Sequence, residues 1–302
     1  MYRWWSGRQR ILLRDCKTAI HEFTYNGYRG FTANPYNGCG HRCVYCYATF
    51  EWFPEFYDIL QVKINFPAIV SRQLHEELPD RPVFLSSATD PYQPLEGKFR
   101  LTRRTVEILQ KHGVPYYIFT KSATVLRDLE LHSSYRDRCM ISWSLTTVNS
   151  KVKRLIEPFS STPTAVLRAM KEFSESGVTV GANIDPIIPG VTDLEGWVEE
   201  VVDAVAESGG SFVSVGALRL REDIWERLRS LLLSAGMGDV AKHLQRLYRF
   251  SGRYGDAPAW YLRELEERVK ARAKRLGLFY GIPLPEPKPR PIKVMRQLLL
   301  IS

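Results

Sequence analysis

From residue 30 to about residue 220, short apolar runs alternate with stretches of helical periodicity. The runs at 30–34, 82–87, 115–120, 139–146, 179–184 and 212–215 have the length and composition of strands. The stretches 67–78, 102–112 and 124–131 follow the first three of them, and 164–176 and 194–208 follow the next two. Pro163 sets the start of one helix, and Leu194, Trp197, Val198, Val201, Val202 and Val205 recur at helical spacing in the next. Strand–helix alternation of this kind predicts an α/β fold with a parallel sheet, and six units make three-quarters of a (β/α)8 barrel. Beyond residue 220 the pattern is helical alone, over 222–234, 238–250 and 258–276. Residues 283–291 alternate with proline as an extended strap, and 292–302 are too short to stand alone, so docking on the core is expected. The expected organisation is a basic segment (1–29), a partial barrel (30–220) and a helical, basic C-terminal extension (221–302).

Charge sharpens this division. Of the net +9, residues 1–14 carry +4 through Arg3, Arg8, Arg10 and Arg14, and 268–296 carry +8, so the span between them is −3. No apolar run reaches the ~18–20 residues that span a bilayer. The first residues lack the apolar core of a signal peptide. A soluble, cytoplasmic protein is expected.

The chemistry concentrates in residues 34–48, where Cys39, Cys43 and Cys46 form a C-x3-C-x2-C run. Three thiolates on one loop can hold three irons of a [4Fe–4S] cube and leave the fourth open to a cosubstrate. The competing reading is zinc, with His41 as a fourth ligand, giving a non-catalytic scaffold. Cys16 and Cys139, the remaining thiols, are too few for a second cluster and read as inert, Cys139 within an apolar run.

The spacing, with Tyr45 before the last cysteine, resembles the signature of the radical S-adenosylmethionine (SAM) enzymes. Residues 34–48 in full resemble the cluster loop of the spore-photoproduct-lyase-like family, and further segments match it in order across about residues 16–220. They include 62–65, 87–96, 101–104, 120–122, 126–129, 142–146, Glu157-Pro158 and 186–190 with Asp193. The resemblance implies a radical SAM partial barrel with the cluster loop after its first strand. It also implies reductive SAM cleavage to a 5′-deoxyadenosyl radical, hydrogen abstraction from a substrate, and a flavodoxin- or ferredoxin-like one-electron reductant.

It further assigns residues. Thr89 would meet the SAM ammonium, Lys121 its carboxylate, and Ser144 its ribose or carboxylate. Tyr45, Ile188 and Gly190 would face the adenine. Tyr36, Ser87, Asp90 and Tyr92 would neighbour the site, Tyr36, Tyr47 and Tyr92 as an aromatic wall or as core. Each has a plainer reading too: Asp90 before Pro91 forms turns, and Pro-Gly at 189–190 is an ordinary turn. Spore photoproduct lyases place a hydrogen-donating cysteine where this chain has Ser87, so a different substrate is expected. Nucleic acid held by the basic ends, with Trp4 and Trp5 stacking, is one candidate; a small molecule or protein side chain is the other.

Overall fold

The structure is a computed structural model that describes residues 9–25, 28–51, 55–249 and 255–283. Trp4, Trp5, nearly all of the proline strap, residues 292–302 and the cations Arg3, Arg8, Lys288, Arg290, Lys293 and Arg296 lie outside them. The strands are β1 (Arg10–Arg14), β2 (Ile20–Tyr25), β3 (Tyr28–Ala33), β4 (Tyr36–Asn37), β5 (Ile59–Lys63) and β6 (Val83–Leu85). They continue with β7 (Tyr116–Thr120), β8 (Cys139–Ser144), β9 (Thr179–Ile187), β10 (Phe212–Ala217) and β11 (Phe279–Tyr280). The helices are α1 (Ala48–Glu51), α2 (Phe66–Glu76), α3 (Glu96–Phe99), α4 (Leu101–Lys111), α5 (Leu129–Ser133) and α6 (Ser150–Ile156). Then come α7 (Pro163–Glu175), α8 (Trp197–Glu207), α9 (Glu222–Ser234), α10 (Gly238–Arg249) and α11 (Ala259–Leu276).

The six predicted strands are β3, β6, β7, β8, β9 and β10. They lie side by side in that order, all parallel, as successive right-handed βα units require. The sheet also takes in β2, antiparallel to β3, at one edge and β11, parallel to β10, at the other. The second of these follows α11, which packs on α8 and β10 and so completes one more helix–strand unit. A separate sheet, ordered β1-β5-β4, ends in the strand that leads into residue 38.

Local chemistry explains the helix limits. Thr162 Oγ1 accepts from Ala165 N at 3.3 Å and Pro163 opens α7, whose Val166, Ala169, Met170 and Phe173 are buried. α8 starts at Trp197, three residues later than periodicity suggests, because Gly196 ahead of it is left-handed at φ +80. The stretch 124–131 is a tight 3-10 turn (Ala123–Asp128) running into the short α5, with Ser122 Oγ accepting from Thr124 N.

The sheet has two buried faces. Val180, Ala182 and Ile184 of β9 point outward into the large core shared with the helices. Strand alternation therefore turns Gly181, Asn183 and Asp185 inward. At the floor of the interior Phe84, Tyr117, Met140 and Phe212 cluster, and Phe23 of β2 and Ile282 after β11 both pack against them. Both edges of the sheet thus curl onto one interior cluster, the partial barrel of an α/β fold. No helix among the described residues is long and apolar enough to cross a membrane.

Candidate functional site

The three cysteines lie between β4 and α1, beyond the C-terminal end of β3. Gly38 starts their loop at φ +79, where a side chain would sit 2.4 Å from Ile59 O, so only glycine fits. Cys39 and Cys43 are buried and Cys46 half-buried. Cys39 packs with Ala48, Phe56 and Tyr57, and Cys43 packs with Val44, Tyr45, Ile188 and the apolar faces of α9 and α10. Cys46 touches both groups. Val44 N donates to Ile156 O at 2.9 Å, and Tyr57 Oη donates to Cys43 O. On α9, Arg227 donates to Val44 O at 3.1 Å and Cys46 O at 3.4 Å.

Next to the loop is a buried His41–Asp90 pair. His41 Nε2 lies 3.2 Å from Asp90 Oδ2, and its Nδ1 is 2.9 Å from Phe159 O. Asp90 Oδ1 also accepts from Tyr92 N at 2.8 Å and Thr120 Oγ1 at 2.7 Å, and Oδ2 from Lys121 N at 2.6 Å. Burial opposes both charges, yet each partner favours the other: the carboxyl lies below its usual range and the imidazole above. Asp90 is therefore the joint between the cysteine loop, the turn after β6 and the end of β7. His41, which a zinc site would enlist, instead turns Nε2 toward Asp90 and Nδ1 to Phe159 O.

A second buried hub surrounds Glu157. Its carboxylate accepts from Tyr45 Oη, from Thr146 Oγ1 at 3.1 Å, from Lys153 Nζ at 2.5 Å and from Ser160 Oγ at 2.9 Å. Lys121 Nζ stands 3.8 Å away and 5.3 Å from the centre of the Tyr45 ring. Burial would raise the Glu157 carboxyl, but Lys121 and Lys153 outweigh it and hold it well below the usual carboxylate range. Lys121 is thereby held, charged, at the end of β7.

The other expected positions divide. Ile188 packs with Cys43 and Tyr45, which places the turn after β9 against the loop. Gly190 has φ +73, donates its N–H to Asp193 Oδ1 at 2.6 Å and approaches Val240 of α10. Ser144 is half-buried at the end of β8, aligned with Asn183 of β9 and, beyond it, Ser214 of β10. Ser214 Oγ donates to Asn183 Oδ1 at 2.8 Å. Together with Lys121 and Asp185 these make a polar tier above the aromatic floor. Thr89 is buried, its hydroxyl donating to Tyr36 O at 3.2 Å. Ser87 is exposed and shares a 2.9 Å hydrogen bond with Thr32, while Tyr47 Oη donates to its carbonyl. Tyr36 and Tyr92 are core residues, bonded to Glu96 and to Asp128 and His132, so of the three tyrosines Tyr47 alone faces solvent.

Sequence reading missed the roles of Glu157, His41 and Arg227. Glu157 was visible as part of a motif; Arg227 carried no local signal.

The donor set fits an iron–sulfur cube. Among the described residues no three His, Cys, Asp or Glu side chains converge as ligands of one ion must. A cube gives each sulfur its own iron and makes no such demand. Burial pushes the Cys39 thiol up to about 12, so a bound cation would be what ionises it. Lys121 and the polar tier lie at the strand ends, the face where barrel enzymes work.

Comparisons with known proteins bear on the family. An uncharacterized protein of Mycobacterium tuberculosis is 29% identical over 266 residues, covering 84% of this chain and 77% of its own. A radical SAM Nα-GlyT isomerase of Pseudomonas phage M6 is 21% identical over 188 residues, 60% of this chain and 38% of its own. Spore photoproduct lyase complexed with dinucleoside spore photoproduct has a similar fold, at TM-score 0.64 and 16% identity, over 89% of this chain and 81% of that one. The family model for the radical SAM superfamily matches residues 33–205, more than half of the chain. That span takes in all three cysteines, Lys121 and the strands from β4 to β9, and the chain belongs to the radical SAM superfamily as an enzyme of that class.

Proposed function

We propose that Cys39, Cys43 and Cys46 hold a [4Fe–4S] cluster and that the chain binds SAM between this loop and the ends of β7, β8 and β9. When bound, cluster and SAM supply one-electron cleavage of the sulfonium and a carbon radical that takes hydrogen from a substrate. The observation that carries the reading is the convergence of one buried three-cysteine loop with a fixed cation, Lys121, at the C-terminal end of a parallel barrel. Lys121 offers its charge to a carboxylate, Ser144 a hydroxyl to the ribose, and Ile188 an apolar wall to the adenine. The aromatic floor and the flanking hydrophobic clusters keep water from the barrel interior.

For the substrate, the half-buried tier of Ser144, Asn183, Asp185 and Ser214 favours a small group carrying both donors and acceptors. A second reading, a nucleobase, draws support from spore photoproduct lyase with its bound dinucleoside. The basic C-terminus supports it less than charge counting suggested. Arg268 is bidentate to Glu199 (2.8 and 2.9 Å), and Arg272 to Asp203 (2.5 and 2.7 Å), so α8 already neutralises both.

The test is anaerobic reconstitution with iron and sulfide. About four irons per chain, an electron-paramagnetic signal that changes on adding SAM, and 5′-deoxyadenosine after reduction support the proposal. Full iron uptake by Cys46→Ala, or no iron in the unaltered chain, refutes it. Deuterated candidate substrates then identify the hydrogen source.

A further inference from the structure

The radical SAM match ends at residue 205, yet a residue beyond it grips the cysteine loop. Arg227 of α9 donates through Nε to Val44 O at 3.1 Å and through Nη2 to Cys46 O at 3.4 Å and Thr49 Oγ1 at 2.8 Å. Its guanidinium also lies 5.5 Å from the centre of the Tyr57 ring, whose hydroxyl holds Cys43 O. One turn earlier on the same helix, Asp223 Oδ2 accepts from Arg227 Nη1 at 2.8 Å and lies 2.6 Å from Thr49 Oγ1. Asp223 Oδ1 is buried with no hydrogen-bond partner. The side chain of Arg227 is only 13% exposed, so solvent screens it weakly.

Two consequences follow from general chemistry. A planar fork bonded to two carbonyls of a short loop fixes the loop's shape, and a guanidinium is charged at every accessible pH. A fixed cation beside a metal cluster stabilises the added electron, and a fixed anion opposes it, because net local charge is one of the levers on cluster potential.

We propose that Arg227 and Asp223 act as positioning residues for the cluster, Arg227 fixing the loop and raising the reduction potential while Asp223 orients it and offsets part of that effect. This rests on the cluster assignment above. Helix α9, outside the matched core, thereby becomes part of the redox machinery.

The experiment uses the full chain, reconstituted without air, with iron counted per chain and the reduced signal titrated against solution potential by paramagnetic resonance. Arg227→Met is expected to lower the reduced-to-oxidised ratio at a fixed potential about tenfold, equivalent to about 59 mV for one electron. Asp223→Asn should move it the opposite way, and Arg227→Lys, which keeps the charge without the fork, should fall between Arg227→Met and the unaltered chain. Opposite shifts at equal iron content are what a merely structural clamp would not produce. An unchanged potential in Asp223→Asn, or shifts of the same sign in both neutralising variants, overturns the proposal. If Arg227→Met holds no iron, Asp223→Asn and Arg227→Lys decide it. An unaltered chain that takes up no cluster instead refutes the parent reading.

Discussion

Replacing Glu157 by Gln tests the buried hub that holds Lys121. The substitution keeps the size of the side chain but removes its charge, leaving Lys153, 2% exposed, with no anion at 2.5 Å. Removing one partner of a buried ion pair costs about 3–5 kcal/mol, because the stranded charge keeps its desolvation penalty. Unfolding entropy of about 2.1 cal/mol/K per residue over 302 residues gives about 0.6 kcal/mol/K, so Tm should fall by about 5–8 °C. Thermal scans and urea melts of the metal-free, reduced chain at neutral pH measure the Tm shift and the free-energy loss without any contribution from a cluster. Lys153→Met should destabilise similarly, and the double variant should lose less than the sum by about 2 kcal/mol, the signature of direct coupling. The pH dependence has a definite sign. The Glu157 carboxyl is held below its unfolded value, so its contribution is complete above about pH 4.3 and is lost as pH falls toward the folded value. A loss under about 1 kcal/mol in Glu157→Gln, or strict additivity with Lys153→Met, would refute the reasoning.

Other outcomes follow from separate parts of the molecule. Burial holds His132 down to about 4, between the hydroxyls of Tyr92 and Tyr116. Stability should therefore be full above about pH 6.5 and decline by about 1.4 kcal/mol per unit as pH falls toward 4, as the unfolded chain binds the proton first. His132→Gln should flatten that slope in urea melts taken across the range. Gly181→Ala would put a methyl 2.3 Å from Phe212 O and 2.6 Å from its ring, and should cost about 3 kcal/mol. Gly97→Ala, with nothing within 4 Å, is the control and should be neutral or slightly stabilising in the same melts. Replacing Arg268, Arg272, Glu199 and Asp203 together by Ala, which removes two neutral pairs at constant net charge, should change salt-dependent retention on a phosphate-bearing column little; a large drop would revive the nucleic-acid role of this helix.

Periodicity located the barrel strands because each is a short β-rich run closed by turn residues, and it found α9 to the residue. It passed over β1, whose Arg-Ile-Leu-Leu-Arg lacks alternation and is exposed along its length. β2 and β11 were hidden for a different reason: what makes them strands is a neighbour's edge, and pairing partners leave no mark on a local run. The site shows the same contrast. Three cysteines within one loop announce themselves, whereas the joint between His41 and Asp90 joins segments far apart in the chain. Arg227 looks like any basic residue on an amphipathic helix until the fold brings Val44 and Cys46 beneath it. For Tyr36 and Tyr92 the sequence left an aromatic wall and the core both open, and the core holds, because Glu96 and His132 draw their hydroxyls into it.

The wall of α9 and α10 over the cysteine loop also orders events during synthesis. Arg227 is 183 residues downstream of Val44, the carbonyl it holds. At about 5–20 residues per second, a ribosome needs on the order of 10–40 s to cover that interval. Until then the thiols emerge on a loop with one side missing, open to oxidants and to stray metals. On the proposed cluster assignment, loading of iron onto a finished scaffold would be a late step, and chains cut short before α9 would present the three thiols without the shelter.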